Sequence, residues 1–145
     1  MIQRIQSIFY LMAAICASIV FLKPLASSDQ SATPYLEDKL FDVQDNTILL
    51  VVAALAVILP LVSIFLFKNR SVQKRIGYLS IIFSLLVIVA ASLLFLNAGS
   101  TLDKSVEMSD EMGLYFPVGA IVFSMIANYF VSKDDKLVSS MDRLR

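Results

Sequence analysis

Histidine and tryptophan are absent from this 145-residue chain, cysteine occurs once, and glycine and proline occur four times each. Without histidine, the side chain that titrates closest to neutrality and most often ligates metals is missing. The single Cys16 excludes an intramolecular disulfide, and inside an apolar run it reads as a small packing residue. Gly77, Gly99, Gly113 and Gly119 are too scattered to form a phosphate-cradling loop. The most informative absence is of charge. Four runs, Ile5 to Leu22, Thr47 to Phe67, Tyr78 to Leu96 and Leu114 to Val131, contain no Asp, Glu, Lys, Arg or His. A transporter or channel normally keeps an ionisable residue inside its bundle, because placing one there costs about 2.5–3.5 kcal/mol and is retained for function. None is present in these runs.

What fills them is apolar. Hydrophobic residues make up 58% of the chain and charged residues 17%, with a mean hydropathy of +0.78. A water-soluble domain of this size would expose far more apolar surface than such domains tolerate, so lipid must cover it. Each run matches the roughly 20 residues a helix needs to cross about 30 Å of hydrocarbon. The predicted fold is therefore all-α: a polytopic membrane protein with spans at 5–22, 47–67, 78–96 and 114–131 in a compact bundle, followed by a tail over 132–145. Arg4, the first apolar run and Ala26-Ser27-Ser28 together resemble a secretory signal, but Lys23-Pro24 interrupts the approach to those small residues. The expectation is an uncleaved anchor.

Charges sort by connection. Arg4, the acid-free set Lys68, Arg70, Lys74 and Arg75, and the tail residues Lys133, Lys136, Arg143 and Arg145 put nine basic residues on one side, against Lys23, Lys39 and Lys104 on the other. Nine of the twelve acids share the side with the three lysines. The positive-inside rule then predicts that both termini are cytoplasmic. Once topology is assigned no basic stripe remains, so nucleic acid is not an expected partner. The short link from Lys68 to Gly77 makes the second and third helices antiparallel neighbours.

Lipid tails give helices no hydrophobic reason to associate, so close approach through small residues must replace it. Candidate seams are Ala13 with Ala17, Ser80 with Ser84, and Ala120 with Ser124. Pro60 should kink the second span and free the Ala56 carbonyl, with Ser63 near enough in sequence to help satisfy it. Pro117 falls in a first turn, where its missing N–H costs little. Tyr78, Tyr115 and Tyr129 at span ends read as interfacial anchors. Asn128 is the most polar side chain in any span and is expected to hydrogen-bond another helix.

No nucleophile–base pair can be assembled, and the acidic pairs Glu37-Asp38 and Asp110-Glu111 read as solvated loops rather than a cation cage. No cofactor or metal is called for. In the tail, Ser132 and Asp135 fit a weak capping box, after which Leu137, Val138, Met141 and Leu144 share one face that could dock a partner or lie on the membrane. A plain continuation of the fourth helix is the simpler possibility.

The opening Met1-Ile2-Gln3-Arg4-Ile5-Gln6-Ser7-Ile8-Phe9-Tyr10, the terminal Lys133-Asp134-Asp135-Lys136-Leu137-Val138 and the closing Asp142-Arg143-Leu144-Arg145 resemble a family of small inner-membrane proteins from Bacteroidota catalogued as a domain of unknown function. The resemblance implies a multi-pass protein of the bacterial inner membrane and brings no catalytic residues with it. The functional expectation is a non-enzymatic accessory subunit or scaffold that contacts membrane lipids and other inner-membrane proteins, a role that would fit envelope biogenesis or protein export. The alternative is a small transporter or lipid-binding protein with its pocket near Pro60 and Asn128.

Overall fold

The computed structural model describes residues 2–28, 40–101, 108–110 and 112–142. Four helices dominate: α1 (Ile2–Ile19), α2 (Thr47–Phe65), α3 (Arg70–Thr101) and α4 (Phe116–Asp142). α1 packs on α2 and α4, and α3 packs on the same two, so the helices close a four-membered ring. Gln6, near the start of α1, reaches the Phe130 carbonyl on α4, and Arg70, the first residue of α3, reaches Asp134 on α4. One end of the bundle therefore holds the first turn of α1, the α2–α3 turn and the last turns of α4. α2, α3 and α4 are long and apolar enough to cross a membrane, whereas the apolar stretch of α1, Ile5–Ile19, is shorter.

Local chemistry sets the helix ends. Asn46 caps α2, its side-chain oxygen accepting from the backbone N–H groups of Ile48 (2.9 Å) and Leu49 (3.2 Å). Asn69 does the same for α3, accepting from Val72 N–H at 3.3 Å. That cap corrects the expected length of the middle link. The turn spans only Leu66 to Asn69, and Arg70, Lys74 and Arg75 ride on the first turns of α3 rather than in a loop. Pro117 sits in the first turn of α4, where its missing donor is harmless. α2 runs through Pro60 without a break, and the Ser63 hydroxyl donates to the Leu59 carbonyl at 3.1 Å, not to Ala56.

The opposite end carries an element that hydropathy did not forecast. Three short strands, β1 (Ala26–Ser28), β2 (Leu40–Phe41) and β3 (Met108–Asp110), form an antiparallel sheet in the order β2-β1-β3. Ala26 pairs with both Phe41 and Asp110, so the central strand ties the two long connections together. The residues that resemble a cleavage site are that central strand. Leu25, Phe41 and Val43 turn inward beneath it and pack with Val20 and Leu49 on the end of the bundle. At Gly113 a Cβ would lie 2.8 Å from the Lys23 carbonyl oxygen and closer still to that of Pro24, which the Gly113 N–H meets at 3.1 Å. Only glycine allows that approach.

Buried positions recur at alternating spacings of four and three in every helix, a register that Val20 continues just past α1 and Gly113 begins just before α4. They are Gln6, Tyr10, Ala13, Ala17 and Val20; Leu49, Ala53, Ala56, Pro60 and Ser63; Gln73, Gly77, Ser80, Ser84, Val87 and Ala91; and Gly113, Pro117, Ala120, Ser124, Ala127 and Val131. A repeat of 3.5 residues is the seam of left-handed knobs-into-holes packing. Most of these residues are small or polar, while Ile8, Leu11, Ile58, Val62, Ile82, Leu86, Val122 and Met125 are exposed. Most of the large apolar side chains point out, and the inward stripes are mainly small or polar, with Tyr10, Leu49, Val87 and Val131 the larger residues among them. All three small-residue seams read from the sequence lie in the buried stripes.

Candidate functional site

Three places in the molecule concentrate chemistry. The first is a polar layer inside the bundle near the end that holds the α2–α3 turn. The Tyr10 hydroxyl on α1 donates to Asn128 Oδ1 on α4 at 2.7 Å. Gly77 on α3 lies against both, and a Cβ there would fall 2.5 Å from the Tyr10 oxygen and inside contact with Asn128. One turn away, the hydroxyls of Ser80 and Ser124 share a hydrogen bond of 3.2 Å between α3 and α4. Gln73 Nε2 donates to the Ser63 carbonyl at 3.0 Å, satisfying one of the acceptors left open where α2 ends. Gln6 Nε2 donates to the Phe130 carbonyl at 3.3 Å, and the Phe9 ring stacks on Phe130 with centroids 5.5 Å apart. Each bond joins two different helices. Gln73 Oε1, Ser84 Oγ and Asn128 Nδ2 are buried without a partner.

The second place is a cleft between the α2–α3 turn and the end of α4, lined by Phe67, Lys68, Asn69, Arg70, Ser71, Asp135 and Val138. Arg70 Nη2 and Asp134 Oδ2 are 3.1 Å apart and hold its two walls together. The third is an apolar cleft of about 200 Å³ at the sheet end, lined by Leu25, Ala26, Phe41, Ala91, Ser92, Leu96 and Leu114. Its one hydroxyl, on Ser92, donates to the Ile88 carbonyl at 2.8 Å, so it offers a ligand little beyond hydrocarbon contact. Among the described residues, no group of three or more His, Cys, Asp or Glu could hold a metal ion.

The candidate residues separate under this geometry. Asn128 bonds another helix, as its isolation among apolar neighbours suggested: its Oδ1 accepts from Tyr10 on α1, and Gly77 of α3 packs against it. Pro60 is buried on α2 and lines none of the three places just described. Leu137 is 46% exposed, and Val138 beside it lines the cleft with Phe67. Met141 lies on α4, and Leu144 lies outside the described residues. α4 passes through Ser132 unbroken, so the expected capping box is not a helix start: residues 132–142 extend the fourth helix. Nothing between Val131 and Asp142 breaks a helix, and the Arg70 ion pair fastens the extension to α3.

Tyr10, Gln6 and Gln73 were not singled out from the sequence. The signal that could have found them is their register. Gln73 precedes Gly77, Ser80 and Ser84 at spacings of four, three and four, and Gln6 and Tyr10 precede Ala13 and Ala17 in the same way.

No curated protein and no solved structure matches the chain. Residues 2–144 match the family described as Domain of unknown function (DUF4293), and with nearly its whole length covered the chain belongs to that family.

Proposed function

We propose that this chain is a non-enzymatic integral protein of the bacterial inner membrane, crossing it four times with both termini cytoplasmic, and that it acts as an accessory subunit or scaffold. The observation that carries the reading is the bias of its packing: the inward stripes of all four helices are mainly small and polar, and most of the large apolar side chains turn outward. In water such a surface would aggregate, whereas lipid solvates it, and helices in lipid associate through close approach and interhelical hydrogen bonds. α1 fits because the turn residues Val20 to Leu22 extend its apolar stretch towards the length a membrane needs. The nine-to-three division of basic residues supports cytoplasmic termini.

An accessory role is supported by how the interior polar groups are used. Tyr10 with Asn128, Ser80 with Ser124 and Gln73 with Ser63 bond helix to helix, which makes them glue rather than a path for solute. The extension of α4 then carries Leu137 and Met141 beyond the apolar span, where another membrane protein could reach them. Replacing both with Asp should abolish association with a partner that the parent retains through gentle detergent extraction, while insertion stays intact. Co-purification of the same proteins at the same yield would sink this reading.

A second reading, a lipid-binding protein, is favoured by the apolar cleft under the sheet. It expects a stoichiometric lipid on the purified protein, removed by Ser92→Phe, which fills the cleft from α3. Lipid content unchanged by that variant would remove the reading.

A further inference from the structure

The cleft at the α2–α3 turn differs from its surroundings in combining unpaired positive charge with exposed aromatic surface. Among residues 66–75 and 132–139 there are six basic side chains, Lys68, Arg70, Lys74, Arg75, Lys133 and Lys136, and two acidic ones, Asp134 and Asp135. Asp134 is committed to Arg70 at 3.1 Å. Among the described residues the other five basic side chains make no ion pair. Lys68, Ser71 and Asp135 stand at the cleft itself and are exposed, with Phe67 and Val138 beside them, so the excess of base comes from Lys74, Arg75, Lys133 and Lys136 around the cleft rather than from its lining. Phe65, 78% exposed, lies at the last turn of α2, where the apolar outer surface begins.

We propose that this cleft seats the headgroup phosphate of an anionic phospholipid from the leaflet around it. Lys68 supplies a mobile ammonium donor, the Ser71 hydroxyl a neutral one, and the surrounding excess of base raises the local concentration of anions. The Arg70–Asp134 pair is a positioning contact: it keeps α4 against the start of α3, so the cleft has two walls, and it engages one nitrogen of the guanidinium. The apolar half of the cleft chooses between sources of phosphate. Phe67 and Val138 would be poor neighbours for a free ion, but they suit the glycerol and first methylenes of a lipid whose chains continue past Phe65. Basic pockets between membrane helices on the cytoplasmic side are the usual form of such sites. The inference rests on the membrane-spanning reading above.

The test is retention of lipid by the full chain, purified in mixed micelles of phosphatidylglycerol and phosphatidylcholine and read by native mass spectrometry. The parent should retain phosphatidylglycerol preferentially. Lys68→Gln should lower that preference about fivefold, the effect of one basic side chain near an anionic lipid surface. Lys23→Gln, which removes an exposed base at the sheet end, should leave it unchanged. Arg70→Gln should also weaken the preference, and Asp134→Asn should reproduce that loss if the pair acts by holding the walls. Equal retention of both lipids by the parent, or an unchanged preference in Lys68→Gln, would overturn the site. Inorganic phosphate displacing the lipid at equal concentration would also overturn it, by assigning the cleft to the free ion. A chain that holds neither lipid would overturn the site as well, while the membrane reading stands or falls separately, on the thiol accessibility of Ile82→Cys in native membranes.

Discussion

The Tyr10–Asn128 bond, at 2.7 Å, is shorter than the Gln6–Phe130 bond that also joins the first and last helices, and its worth can be worked from its surroundings. Asn128 is only 3% exposed, its Nδ2 already has no partner, and Gly77 closes the third side. Tyr10→Phe removes one oxygen and leaves the ring in place, so little packing is lost. It strands Asn128 Oδ1 beside the unpaired Nδ2. Leaving a buried polar group unsatisfied costs about 1–3 kcal/mol in water-soluble proteins. Within membranes such bonds average about 0.6 kcal/mol and reach about 1.7, because the unfolded chain also finds partners. Asn128 is buried in a close-packed layer, so the upper part of the membrane range applies and the expected loss is about 1–2 kcal/mol. Asn128→Leu, nearly the same shape, should cost a similar amount alone because it strands the tyrosine hydroxyl. The double variant removes both polar groups and should recover most of the loss, giving a coupling of about 1 kcal/mol. SDS-driven unfolding in mixed micelles, followed by circular dichroism, measures all four proteins. A Tyr10→Phe variant as stable as the parent, or a double variant whose loss is the sum of the singles, would refute the reasoning.

Other substitutions probe the remaining contacts. Gly113→Ala sets a methyl against the backbone carbonyls of Pro24 and Lys23, which cannot swing aside, and should cost about 1–3 kcal/mol in the same unfolding assay while exposing the sheet end to protease. Ser80→Ala combined with Ser124→Ala removes both partners of one bond at constant shape and should shift stability by less than about 1 kcal/mol. Neutralising Lys68, Arg70, Lys74 and Arg75 together should scramble the orientation of the chain, read by reporter fusions at the C-terminus, whereas any one of these changes should do little. In a Cys16→Ser background, Gln44→Cys should react with an impermeant thiol reagent added to intact cells and Ser71→Cys should not.

Hydropathy located the helices because the absence of charge in four runs is a property of composition alone. It placed the start of α3 too late, since the eye for apolar runs passes over Arg70 to Gly77, where Asn69 caps a helix whose first two turns carry Arg70, Lys74 and Arg75. The small-residue seams were legible because alanine and serine at four-residue spacing have a direct physical use in lipid. The sheet was not, because strands of two or three residues such as Leu40–Phe41 are too short to display an alternation. Asn128 could be recognised as a hydrogen-bonding residue, but Tyr10 could not be named as its partner: they lie 118 positions apart, and only the closed ring of helices brings them together. The extension of α4 was ambiguous because Ser132 and Asp135 satisfy a helix-start pattern as well as they satisfy a helix interior.

The central claim is that the exposed apolar waist of the bundle faces lipid. It is tested most directly at Ile82, which is 50% exposed in the middle of α3. Ile82→Cys in the Cys16→Ser background, held in native membranes, is treated with a charged thiol reagent after the vesicles have been opened to both sides. Modification is expected only after the membrane is dissolved in SDS, while Ser71→Cys in the same opened vesicles reacts at once. Ile82→Cys reacting as fast as Ser71→Cys before any detergent is added would mean that water, not lipid, covers the waist, and would contradict the account.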